Sequence, residues 1–168
     1  KNLYRGWKYP IINSTLINGL LFGTNEYYYK KFNNYYISGA ITGGITSIII
    51  NPLELYKINK QNNLKLKYMN FTRGLPLTFS REVIGCSIYF GYYNYLKSKN
   101  IHPLISGGLT GWLSWTITYP IDIIKTRVQS NNSYYNSIKL KHYFNGYMYA
   151  SLRSIIFNSF LFYFYENI

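Results

Sequence analysis

Two stretches of this chain, residues 36–58 and 104–127, are almost free of charge until their last turns, and each is long enough as a helix to cross a bilayer. The runs YYISGAITGGITSIII and PLISGGLTGWLSWTITY also lack the polar stripe that a helix on a soluble surface needs. Residues 9–29, 77–97 and 147–167 are of similar length, but the last two are interrupted by Arg81, Glu82 and Arg153. The mean hydropathy of −0.13 requires many polar faces. Helices around a watery cavity within a membrane satisfy both demands, whereas a soluble all-helical bundle does not.

The chain repeats itself at a period near 70 residues. SGAITGG at 38–44 matches SGGLTGW at 106–112, and Pro52 matches Pro120, both at an offset of 68. YRG ending at Gly6, TRG ending at Gly74 and FNG ending at Gly146 follow at 68 and 72. The expected organisation is the second half of one repeat (1–30) followed by two whole repeats (31–98 and 99–168) in one unit. Five spans are then six less one. Gly39 with Gly43, and Gly107 with Gly111, place a GxxxG at the same point of both whole repeats, a spacing that lets helix backbones approach closely in a membrane.

Composition narrows the function classes. Lys and Arg number 18 against 5 Asp and Glu, and 20% of the chain is aromatic. A nucleic-acid module would cluster such charge on soluble elements, but here it sits between long uncharged runs. The lone Cys86 forms no disulfide within the chain, and His102 and His142 lack metal-ligand spacing. No nucleophile, base and orienting group occur together, so an enzyme is not expected. Lys1 stands where a methionine would start a complete chain and nothing near it resembles a cleavable signal, which leaves a fragment open.

Each repeat ends its apolar run on a proline followed by an acid and a base. Pro120, Asp122, Lys125, Arg127 and Gln129 fit the pattern P-x-[DE]-x-x-[KR]-x-[KR]-x-Q, and Pro52, Glu54, Lys57 and Gln61 fit it with Asn59 at the second base. With the glycine elements at Gly6, Gly74 and Gly146, the chain resembles the mitochondrial carrier family, whose members are inner-membrane solute transporters. The resemblance implies an all-α membrane protein, a threefold pseudo-symmetric helical bundle around a central cavity, with five of its six transmembrane helices present and the first odd helix and its signature missing. The segments from Gln61 to Gly74 and from Gln129 to Gly146 are shorter than the family's matrix loops, so reduced matrix helices are expected.

An acid and a base three residues apart share one side of a helix, and a proline can bend that end toward a central axis. By resemblance, the acid of one repeat pairs with the base of the next to close a matrix gate. Glu54 should meet Lys125, Lys57 and Asp122 should need partners from the missing repeat, and Gln61 and Gln129 should brace the pairs. The family's outer gate motif, [FY]-[DE]-x-x-[KR], is degraded. Glu26 has Tyr29 at the base position, Asn94 replaces the acid before Lys97, and Glu166 lies at the chain's end. A weaker outer gate is expected. Twelve of the basic residues fall at or near the matrix end, the direction of the positive-inside rule, and offer sites for anionic lipid such as cardiolipin.

Arg81 and Arg153 each stand seven residues after their opening glycines, about 10 Å along the axis. Charges at that depth usually face a pathway. In carriers this level holds the substrate contacts, so the candidate site is Asn13, Ser14, Arg81, Glu82 and Arg153. Arg81 and Glu82 could instead form a self-neutralising structural pair. The resemblance implies a monomer that moves a small charged metabolite by alternating access, with no cofactor and no nucleic acid. An acid beside a base suits an amino acid or a carnitine-like zwitterion. A compact low-GC carrier of giant-virus type would have reason to move deoxynucleotides, and the sequence reading leans slightly to the nucleotide. A membrane scaffold without transport is the further alternative.

Overall fold

A computed structural model describes residues 8–61, 74–129, 144 and 146–167, with side chains from 16–56, 74–126, 128, 144 and 146–166. Its elements are five α-helices: α1 (Lys8–Phe32), α2 (Tyr35–Gln61), α3 (Leu75–Ser98), α4 (Pro103–Gln129) and α5 (Tyr147–Asn167). Each expected segment thus becomes a helix, the first four a few residues longer than the apolar runs and the fifth with the expected bounds. The two loops expected to be shortened lie outside the described residues, as do His142 and the element at Tyr4–Gly6.

Local chemistry sets the helix ends. The α1–α2 and α3–α4 connections are short, and each turns through an asparagine in the left-handed region, Asn33 at φ 50° and Asn100 at φ 57°. Asparagine tolerates that conformation because its short polar side chain bonds locally. Asn34 then caps α2, its Oδ1 accepting from the backbone N–H of Tyr36 at 2.9 Å. Gly74 opens α3 at φ 75° and Gly146 precedes α5 at φ 80°, a backbone that a side chain would strain. Short connections make neighbours antiparallel, and the helices pack in chain order, α1 on α2, α2 on α3, α3 on α4 and α4 on α5.

The α2–α3 and α4–α5 contacts are close because of glycine. A Cβ added at Gly39 would lie 2.5 Å from the carbonyl oxygen of Cys86, and one at Gly107 would lie 2.6 Å from that of Asn158. At Gly43 it would strike the carbonyl of Glu82, and at Gly111 the side chain of Asn158. The four glycines therefore seat α2 on α3 and α4 on α5, directly on the backbone or short side chains of the partner helix.

Polarity is inverted relative to a soluble bundle. Ser38, Thr42, Thr46, Ser47, Asn51, Thr110 and Lys125 are almost wholly buried, while Leu16, Ile48, Trp112, Ile156, Phe160 and Phe164 are exposed. Water would reward the opposite distribution, and a lipid surround rewards this one. Some buried hydroxyls donate within their own helices, as Thr46 does to the Thr42 carbonyl at 2.8 Å and Thr118 to that of Ser114 at 2.8 Å. Others donate between helices, as Ser38 does to Asn25 at 2.8 Å and Thr78 to Asn51 at 2.9 Å, while the hydroxyls of Thr42 and Thr110 have no hydrogen-bond partner among the described residues. Among the described residues, one helix passes a simple test of length and hydropathy for a span, α2 over Tyr35–Tyr56.

Candidate functional site: a charged cavity between two ion pairs

The described helices enclose a cavity of about 450 Å³. Ile17 and Asn18 of α1, Glu54 of α2, Arg81 and Glu82 of α3, Trp115 of α4 and Arg153 of α5 reach it. Charge drawn away from water beside such a cavity is costly unless it is compensated.

At the end where α2 and α4 finish, the carboxylate of Glu54 pairs with the ammonium of Lys125. This joins one whole repeat to the next. The Lys125 side chain is 1% exposed and that of Glu54 is 33% exposed, so the ammonium is the deeply buried member. The Lys57, Gln61 and Gln129 side chains lie outside the described residues.

Asp122 departs from expectation. Its Oδ1 lies 3.1 Å from Nε of Arg81, a base within this chain that the motif did not pair with it. The reason is depth. Arg81 stands seven residues after Gly74 and Asp122 seven before Gln129, which brings them level on antiparallel neighbours. Arg81 also pairs through Nη1 with Glu82. The self-neutralising pair therefore exists, but as two sides of a three-residue cluster that bridges α3 and α4.

Trp115 is the site residue that sequence reasoning missed. The guanidinium carbons of Arg81 and Arg153 lie 5.5 and 5.7 Å from its ring, so one indole of α4 meets both arginines. A tryptophan within an apolar run resembles packing until its depth is compared with that of the arginines. Among the described residues, no carboxylate lies within ion-pair distance of Arg153. The side chains of Asn13 and Ser14 lie outside the described residues, while Asn18, one turn further along α1, lines the cavity. Deeper in, Tyr89 of α3 donates to Asn158 Oδ1 of α5 at 2.9 Å.

At the opposite end Lys97 of α3 meets Glu166 of α5 at 2.5 Å, and the Tyr93 hydroxyl donates to the same carboxylate at 2.8 Å. Beneath them Phe162 stacks on Tyr93 at 3.6 Å between centroids, and Phe22 meets Phe90, Phe162 and Tyr165 edge-on or tilted. The remaining candidates for this end keep local partners. Glu26 pairs with Lys30 on its own helix at 3.1 Å, Tyr29 stacks on Tyr35 at 3.7 Å, and Asn94 donates to the Phe90 carbonyl at 2.9 Å. Glu26 finds its base four residues on, one later than the motif requires, and that spacing also suits a helix.

The comparisons agree with this architecture. Residues 97–168 match the family model described as mitochondrial carrier protein. A mitochondrial carrier-like protein of Acanthamoeba polyphaga mimivirus is 36% identical over 122 residues, covering 68% of this chain and 52% of the relative. The mitochondrial arginine transporter of Arabidopsis thaliana is 27% identical over 176 residues, 82% of this chain and 59% of the relative. The human mitochondrial basic amino acids transporter is 28% identical over 165 residues, 77% and 54%. The chain therefore spans little more than half the length of these curated relatives. No solved structure matches it. The matched C-terminal repeat, the relatives along most of the chain and the all-helical architecture agree: the chain belongs to the mitochondrial carrier family.

Proposed function

We propose that the protein is a transporter of the mitochondrial inner membrane that moves small charged metabolites by alternating access, and that its substrate is a zwitterionic or basic amino acid. The observation that carries the substrate class is charge balance. Six described charged side chains stand at the cavity and its Glu54–Lys125 end: Glu54, Glu82 and Asp122 against Arg81, Lys125 and Arg153. A ligand with several uncompensated phosphates would load several negative charges into a site whose described charges balance, whereas a zwitterion would add none and a basic amino acid a single positive charge. The two arginines would take the carboxylate by charge-assisted hydrogen bonds, and Glu82 would receive the ammonium. The names of the arginine and basic amino acid transporters among the relatives support the same class.

Gating would follow from the two terminal ion pairs. Glu54–Lys125 closes the matrix end and Lys97–Glu166, braced by Tyr93, closes the outer end. Lys97 is 56% exposed, so its pair is screened and modest in strength. Substrate binding would supply the differential free energy that favours opening of one end or the other. Anionic lipid would associate with the basic matrix side, and one copy would suffice for transport.

The test is exchange in liposomes by the complete purified protein, preloaded in turn with an amino-acid and carnitine panel and with a nucleotide and deoxynucleotide panel. Exchange of amino acids, abolished by Arg81→Ala and by Arg153→Ala, is expected. Exchange of deoxynucleotides would overturn the substrate class and keep the carrier. No exchange from folded, inserted protein would favour a scaffold that retains the fold without transport.

A further inference from the structure

Asp122 occupies the acid position of a gate signature, yet the base it meets is a cavity residue. Arg81 is thereby shared between the cavity and the end of α4. Its Nη1 meets Glu82, its Nε lies 3.1 Å from Asp122 Oδ1 as an ion pair without a hydrogen bond, and its guanidinium carbon lies 5.5 Å from the ring of Trp115. Arg153 meets the same indole at 5.7 Å without such a carboxylate among the described residues.

We propose that Asp122 is an internal competitor for Arg81. In the empty cavity its carboxylate occupies the guanidinium edge that a substrate carboxylate would take, and an arriving substrate displaces it toward the gate. The proposal rests on the transport reading above. A guanidinium presents its donors in a rigid fork, and a bidentate carboxylate needs two of them side by side. The Glu82 contact leaves with Arg81 on the same helix, so it neighbours the base in every state. Asp122 lies on another helix and three residues from Lys125, so its release changes the relation of α3 to α4 at the end where Glu54–Lys125 closes.

Exposure makes the exchange feasible. The Arg81 and Asp122 side chains are 20% and 24% exposed, against 1% for Lys125, and Arg81 lines the cavity although its Nε is buried. Partly hydrated pairs have modest net strength and can trade partners. Trp115 keeps a fixed face against Arg81 while the carboxylates change. Binding to a group that is free only part of the time is weakened by that fraction. Removal of the competitor should therefore tighten substrate binding, although it deletes a charge from the site.

The experiment is a binding titration of the complete protein in mild detergent, with L-arginine and dATP as separate probes, for wild type and Asp122→Asn. Binding of the recognised probe should tighten roughly tenfold in the variant, as expected if Arg81 is free about a tenth of the time in wild type. Its exchange in liposomes should slow, because the gate lacks its acid. Asp122→Ser carries the same prediction should the asparagine variant fail to fold. Unchanged or weaker binding in the neutral variants overturns the competitor, and weaker binding assigns Asp122 to the ligand's ammonium. Wild type that binds neither probe refutes the substrate reading and the competitor with it, whereas wild-type binding with no gain in the variants refutes the competitor alone.

Discussion

Loss of either member of the Glu54–Lys125 pair should destabilise the protein, but by different amounts. Lys125 is 1% exposed and Glu54 is 33% exposed. Glu54→Gln strands a buried ammonium with a neutral amide, the situation that costs about 3–5 kcal/mol when one member of a buried pair is removed. Lys125→Met leaves a carboxylate that water already reaches and fills the buried volume with an apolar chain of similar length. Its cost should be about 1 kcal/mol, near the range of exposed pairs. At roughly 2–4 °C per kcal/mol, the expected falls in melting temperature are about 6–20 °C for Glu54→Gln and about 2–4 °C for Lys125→Met. The double variant should melt close to Lys125→Met, because no stranded charge remains. The assay is thermal unfolding of the complete protein in one detergent at low ionic strength. Equal effects of the single variants, or a larger effect of Lys125→Met, would refute the assignment of the buried charge. Additive losses in the double variant would show that the two side chains do not interact.

Two further outcomes follow from the packing and the cavity. Gly43→Ala should cost about 1–3 kcal/mol through overpacking against the Glu82 carbonyl. Gly19→Ala, whose Cβ would meet nothing within 4 Å, should be neutral or stabilising by up to about 1 kcal/mol, and a shared loss of stability would refute the contact. Trp115→Ala should lower stability by about 1–2 kcal/mol, from the loss of two cation–π contacts of about 0.5–1 kcal/mol each. Trp115→Phe should recover part of that loss, and thermal unfolding in which the alanine variant melts with wild type would refute the two contacts.

Much of the architecture was legible because it rests on periodic features. The helices follow from apolar length, the repeat from recurring glycines and prolines, and the depth of Arg81 and Arg153 from their distance to Gly74 and Gly146. The link from Glu54 to Lys125 could be anticipated only through the family resemblance, since nothing in either stretch names its partner. The Asp122–Arg81 pair was missed because the acid had been assigned to a gate by its motif and the base to a substrate by its depth. Comparing distances to the helix ends would have brought them together. Glu26 was read by motif offset, although Lys30 lay one residue beyond it at an equally good helical spacing.

The sequence by itself determined what is local and additive: five helices, their ends, the small residues that permit close packing, and the signs of the charges available. Tertiary structure alone decided which charges meet. Pairing depends on the rotation and depth of neighbouring helices, and a few ångströms separate a gate acid from a cavity acid. It also decided that Trp115 faces two arginines, that aromatic rings from α1, α3 and α5 gather beneath Lys97–Glu166, and that Lys125 is buried while its partner keeps contact with water. Those differences in exposure set the strength of each ion pair, because the cost of desolvating a charge depends on where the fold places it and not on its letter in the chain.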